Sequence, residues 1–344
     1  MSEPFGRSGL LLGAVVTDWL ATAARFADDF LFPTASDVDA MDVVPRERLD
    51  RLAAEGFYGL AAPGLGVASI EEAHPINAAF AGGCMTTTLV WVQHHGGVAS
   101  CAFGPESVQS LVPRLAAGDL RSTVAFAGLL PEPRLRCRQD GVSWIVDGTA
   151  PWVSGWGLTD LIHMAARAPN DDVVWLLADT SDAGFRAERH RLLGMDASAT
   201  VTLHVDGVRV DADRMTSRFP WSEWPARDAA GLRTNGSMAL GVAARCLRLL
   251  GPSPLDDDLV AATRELDDGN ADTFPAARAT ASLLAVRAAT ALVVEGGSGA
   301  VERGTDAERL YREAAMLVVF GSRPSIKAEL TRGSQQARSS SSPG

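Results

Sequence analysis

At 344 residues, with 47% apolar and 21% charged side chains, the chain has a globular composition and room for two or three domains of roughly 100 to 200 residues. Its net charge of −11, with Lys327 the one lysine among 31 cationic residues, opposes sequence-independent binding to nucleic acid or an anionic membrane and leaves a small anionic ligand open. No run of about 18 uninterrupted apolar residues is present, so no membrane span is expected.

Along the first 120 residues, Ala and Leu recur at helical spacing. Helices are expected over 16–28, 45–55, 70–82, 86–104 and 105–117, with Pro45 and Pro105 suited to a first turn. The apolar patch before residue 16 runs on as an amphipathic helix without a small-residue cleavage site, so no signal peptide is expected. From Leu120 the texture changes to short β-branched and aromatic runs: "RSTVAFAGLL", "VSWIVDGTAPWVSG", "DLIHMAARA", "DVVWLLADT" and "ATVTLHVDGVRV". In the last of these, apolar and polar residues alternate as in a half-buried strand, and "DG" reads as a turn. After Pro225, "GLRTNGSMALGVAARCLRLLG", "DTFPAARATASLLAVRAATALVV" and "TDAERLYREAAMLVVF" read as long bundle-type helices.

The expected division is a helical domain over 1–119, a β-domain over 120–218, a helical bundle over 219–333 and a polar, Ser-rich, disordered tail over 334–344. Cys84, Cys101, Cys137 and Cys246 lie far apart, with no CxxC pair and no histidine at zinc-ligand spacing. They read as buried free thiols in a reducing cytoplasm, and no metal site is expected.

Three motifs in order carry a family resemblance. They are "LDRLAAEGFYGLAAP" (49–63), "LLGMDASATVTLHVDGVRVDADRM" (192–215) and "EGGSGAVERGTDAERLYREA" (295–314). Over about residues 15–332 the chain resembles the acyl-CoA dehydrogenase flavoproteins. The resemblance implies an α+β multidomain fold with an N-terminal all-α domain, a middle β-barrel-like domain and a C-terminal four-helix bundle. It implies FAD between the last two, and α,β-dehydrogenation of an acyl-CoA or acyl-carrier thioester in lipid metabolism. It also implies a homo- or hetero-oligomer and an electron-transfer flavoprotein as redox partner. Such chemistry needs a carboxylate within hydrogen-bond reach of the α-proton and a flavin positioned to accept hydride.

By the same resemblance, "APWVSGWG" (150–157) sets Trp152 against the isoalloxazine ring and Ser154 near its N5. Gly296, Gly297 and Gly299 would let backbone N–H groups approach the diphosphate or adenine. Other family features are pruned. Only Glu132 and Pro133 remain of the Thr-Glu-Pro segment, whose Gly-Ser-Asp is lost, Val293 replaces a glutamine, and "PSPLDDDLVAATRELDD" stands where Arg-x-x-Phe-Gly is expected. Gly321 falls on the position of the catalytic glutamate, and Leu232, before Arg233, on the alternative one. Asp228, Glu223, Glu302 and Glu313 are substitute acids more simply read as solvated or capping residues, and His94 and His95 as structural. Three functions stay open: an FAD-dependent dehydrogenase with another base, a catalytically reduced partner subunit of a heteromeric dehydrogenase, and a flavin-dependent monooxygenase of the same architecture.

Overall fold

A computed structural model describes residues 18–67, 69–130, 132–321 and 323–336. The start of the helix expected from residue 16 and the tail beyond Gln336 lie outside the described residues. The N-terminal part is helical: α1 (Trp19–Phe26), α2 (Ala35–Asp39), α3 (Arg46–Ala54), α4 (Ile70–Ala102), α5 (Glu106–Gln109) and α6 (Val112–Ala117). Asp18 caps α1 by accepting from Ala21 N–H at 2.9 Å. The helices expected over 70–82 and 86–104 form one 33-residue element, α4, bent at Cys84 (φ −154°, ψ 101°). Its neighbours explain the bend. A Cβ on Gly83 would press on Leu31, and one on Gly82 would come within 2.7 Å of the Gly241 carbonyl, so two glycines let the helix pack closely on both sides.

Eight strands follow: β1 (Ser122–Ala125), β2 (Leu135–Asp140), β3 (Ser143–Val153), β4 (Leu161–Arg167), β5 (Asp172–Asp179), β6 (Phe185–Arg189), β7 (Val201–Asp211) and β8 (Met215–Pro220). They make one sheet in the order β6-β7-β3-β2-β4-β5-β8, largely antiparallel, with β1 pairing in parallel to β4. Asp206-Gly207 is not a turn, because β7 continues through it. The pairing of β3 and β7 shifts between Val146 and Gly148, and Gly207 N–H donates to the Asp147 carboxylate at 2.7 Å. Positive φ at Gly148 (126°) and Gly207 (60°) lets both strands bulge together, which bends the sheet without ending it.

The C-terminal helices are α7 (Trp224–Leu250), α8 (Leu255–Asp267), α9 (Phe274–Gly296), α10 (Asp306–Val319) and α11 (Pro324–Gln336). The stretch Phe274–Val301 is the one helical segment among the described residues long and apolar enough to cross a membrane, but half of its most apolar window is buried in the protein. α4 serves two cores: Ala81, Met85 and Leu89 join the bundle, whereas Ile76, Phe80 and Trp91 join the N-terminal helices. The α4–α7 crossing is so close that a Cβ on Gly241 would overlap the Ala78 carbonyl. Gly241→Ala is therefore expected to lower unfolding free energy by about 1–3 kcal/mol in a urea titration, the usual cost of overpacking. An unchanged midpoint would contradict this contact.

Between the layers, Arg312 on α10 joins Asp39 on α2, Glu308 on its own helix and the Leu193 carbonyl. This fixes the bundle against both the N-terminal helices and the loop before β7.

Candidate functional site

The cleft between sheet and bundle starts from an irregular strand end. At the end of β3 the register shifts between Ala150 and Val153, and Trp152 takes φ 62°. A left-handed tryptophan is strained, and such strain persists where surrounding structure over-determines it. Here the ring stacks on His190, with centroids 4.8 Å apart and planes 17° apart, and the indole remains 57% exposed. Met195 (φ 59°) and Ala199 (φ 50°) are left-handed as well, so three strained non-glycine residues meet at one place.

Ser154 is buried beside them. Its hydroxyl shares a hydrogen bond with Thr200 Oγ1 at 2.8 Å, and Thr200 shares another with Ser198 at 2.8 Å. Thr123 Oγ1 donates to the Ser154 carbonyl at 2.6 Å, tying β1 to the end of β3.

Trp152, Ser154 and Gly321 line a single cleft of about 380 Å³. α4 contributes Leu89 and Gln93, the segment after β1 contributes Phe126 and Ala127, and α7 contributes Asn235. The α10–α11 turn closes it with Phe320 and Arg323. Gln93, Phe126, Asn235 and Arg323 escaped the sequence reading. Asn235 and Gln93 were visible as polar residues inside apolar helical patterns, and Arg323 as a cation two residues past Gly321.

The glycine turn lies elsewhere. Gly296 ends α9, and Gly297 and Gly299 belong to the 3-10 turn that leads into α10, with open space where a side chain would stand at either residue. The cleft is at the other end of α10, a 14-residue helix and so roughly 20 Å long.

Neither position implied for the base presents a carboxylate, and the reasons are structural. Gly321 sits at φ 60°, and a Cβ there would lie 2.5 Å from Asn235 Nδ2. Leu232 is buried against Ala279, Ile326 and Leu330. Arg233 next to it faces α8, ion-pairing with Asp267. Among the described residues, no aspartate or glutamate lines the cleft.

The substitute acids are otherwise engaged. Asp228 approaches only through Arg323, which donates to its two carboxylate oxygens at 2.7 and 2.8 Å. Glu223 pairs with Arg227 at the surface, and Glu302 is exposed beside the glycine turn. Glu313 is fully buried against Arg309, at 3.0 and 3.1 Å. Glu132 is exposed and, with Pro133, stands outside the cleft lining.

The histidines are structural. Ser122 N–H donates to His94 Nδ1 at 3.1 Å, which leaves Nε2–H to donate to the Leu115 carbonyl at 3.0 Å and fixes a neutral tautomer. His95 is packed edge-on against Trp91 with centroids 4.5 Å apart. All four cysteines are free and buried, and burial pushes Cys101 up to about 11.

Residues 17–119 match the acyl-CoA dehydrogenase N-terminal domain. The chain is similar to a "probable acyl-CoA dehydrogenase fadE25" of Mycobacterium leprae, 27% identical over 210 residues, 57% of this chain and 54% of that one. The match thus spans about half the length of that curated relative. The fold is similar to that of butyryl-CoA dehydrogenase from Megasphaera elsdenii (TM-score 0.77, 16% identity, 93% of this chain and 97% of that chain). It is also similar to a glutaryl-CoA dehydrogenase from Mycobacterium smegmatis in complex with FADH2 (TM-score 0.69, 22% identity, 92% and 94%). With an acyl-CoA dehydrogenase N-terminal domain over residues 17–119, its helix–sheet–helix order and its cleft between sheet and bundle, this chain has the acyl-CoA dehydrogenase fold.

Proposed function

We propose that the cleft binds the isoalloxazine of FAD beside an acyl thioester. In this reading the chain takes part in α,β-dehydrogenation as the flavin-bearing partner of a homologous, base-bearing subunit. The observation that carries this is a cleft lined by Trp152 and Ser154 but, among the described residues, by no carboxylate. The residues fit a flavin ring system. The cleft lies within the usual range of ligand sites, roughly 300–1,000 Å³. The stacked Trp152–His190 pair makes a flat aromatic wall, and Leu192, Met195 and Phe320 give apolar surface. When bound, the flavin supplies a hydride acceptor at N5.

The chain's own groups hold and orient. The Ser154–Thr200–Ser198 hydroxyl chain presents a fixed hydrogen-bonding edge. Asp228 offsets the charge of Arg323 while holding its guanidinium at the cleft, so the pair positions polar groups without adding net charge. The glycine turn, far from this chain's own cleft, suits a flavin held by a neighbouring subunit, and exposed Val294 and Val301 flank it. An electron-transfer flavoprotein is the redox partner this reading implies, and four unpaired buried thiols support a reducing compartment.

A flavin monooxygenase is the second reading, because a cleft without a carboxylate suits chemistry that removes no α-proton. Oxygen consumption dependent on an added flavin reductase would favour it.

Titration of the purified chain with FAD tests the site. Trp152→Ala is expected to weaken binding about tenfold, the worth of one aromatic stacking contact of about 1.4 kcal/mol. FAD affinity unaffected by this change would remove the isoalloxazine from the cleft.

A further inference from the structure

A second cleft, of about 710 Å³, lies on the opposite side of α7. Its α7 wall is Arg233, Ser237, Leu240 and Ala244, whose spacing puts them on one helical face. Asn235, in the first cleft, is roughly 200° around the helix from Arg233, so the body of α7 separates the two. The facing walls are His74 and Ala78 of α4 and Leu259, Thr263 and Leu266 of α8. α8 comes from "LDDDLVAATRELD", within the stretch that replaces the family's Arg-x-x-Phe-Gly contact. One wall of this cleft is therefore built from sequence in which this chain departs from the family.

His74 is the unusual wall residue. It is 6% exposed, and its Nε2 is buried without a hydrogen-bond partner. Burial, with the nearby Arg233 charge, pulls His74 down to about 4, so the imidazole is neutral at pH 7. A buried neutral imidazole nitrogen without a partner costs free energy unless something in the cleft meets it. Arg233 does not offer a free charge, since it ion-pairs with Asp267 and donates to Ser237 Oγ. With Glu71 also on the lining, carboxylates outnumber cations, which disfavours an anionic ligand.

We infer that this cleft is a separate binding site for a neutral, mainly apolar molecule carrying one hydrogen-bonding oxygen, such as an alcohol or ketone, which His74 Nε2 engages. Leu240, Leu259 and Leu266 surround its apolar body, and the rim carboxylates select against an anionic head.

The test uses N-phenyl-1-naphthylamine fluorescence on the full chain, with 1-nonanol and nonanoate as competitors. Saturable one-to-one probe binding is expected, with nonanol displacing it at least tenfold better than nonanoate. His74→Leu should weaken nonanol about tenfold. Thr263→Trp should abolish probe binding, and so should Ile70→Trp, which fills the mouth from a position already 61% exposed and so spares the fold. Ala127→Trp, which crowds the first cleft, should leave it unchanged. The inference is overturned if the probe does not bind, if Ala127→Trp abolishes binding while the α4 and α8 variants retain it, or if nonanoate competes as well as nonanol.

Discussion

Stability is expected to fall steeply as pH drops from about 6.5 to 4.5, before most carboxylates titrate. Burial pulls His95 and His163 down to about 3, and holds His94 well below the ordinary 6.5. A histidine whose folded value is depressed contributes stability that is full above its unfolded value and is lost as pH falls towards its folded value. Each such group costs about 1.4 kcal/mol per pH unit in that window, so His95 and His163 together cost on the order of 5 kcal/mol over two units, and His94 acts in the same direction. That compares with a total of roughly 5–15 kcal/mol for a domain. Glu308 belongs to a lower window. The Arg312 hydrogen bond holds its carboxyl below the usual range, so its contribution is lost only as pH falls through that lowered value.

Urea titrations at pH 7.5, 6.5, 5.5 and 4.5 read the slope. His95→Phe isolates one group, because both ring nitrogens lack partners and the aromatic contact with Trp91 is kept. That variant should lose about one proton from the slope, and an unchanged slope would contradict a buried neutral His95.

The second large effect concerns the missing base. Asn235→Asp is expected to give the flavin-loaded chain α-proton exchange that Gly321→Glu does not. At φ 60° a side chain at 321 costs about 1–2 kcal/mol, and its Cβ collides with the Asn235 amide. Asn235→Asp places a carboxylate of the same shape in the cleft with no backbone penalty. A positioned general base is worth about 10²–10⁴ in rate. Loss of the α-proton signal of butyryl-CoA in D2O, followed by NMR, should be at background for the wild-type chain and at least about a hundredfold faster for Asn235→Asp. Exchange in Gly321→Glu but not in Asn235→Asp would mean that the turn tolerates the family's arrangement after all.

Legibility followed physical contrast along the chain. Strands β3, β4, β5 and β7 carry apolar runs and stand out, whereas β2 ("LRCRQD"), β6 ("FRAER") and β8 ("MTSRFP") are polar and charged and were invisible to an apolar pattern. The gap expected between the helices over 70–82 and 86–104 falls at the bend in α4, at Cys84. The "DG" pair misled, since positive φ serves a paired bulge as well as a turn. At the site, Trp152, Ser154 and Gly321 were legible through motif resemblance, and the structure brings them to one cleft. The glycine turn was singled out on the same grounds, but the length of α10 keeps it away. Asn235 and Arg323 stand out as single polar residues, but their convergence was not legible, because it is made by the packing of α7 against the α10–α11 turn.

The proposed flavin cleft has no carboxylate of its own among the described residues. Anaerobic titration of the FAD-loaded chain with butyryl-, isobutyryl- and octanoyl-CoA, alone and after mixing with a base-bearing homologous subunit, tests it most directly. Flavin absorbance should persist with the chain alone and bleach once the second subunit is present. Bleaching of the isolated wild-type chain by any of these thioesters would contradict the account.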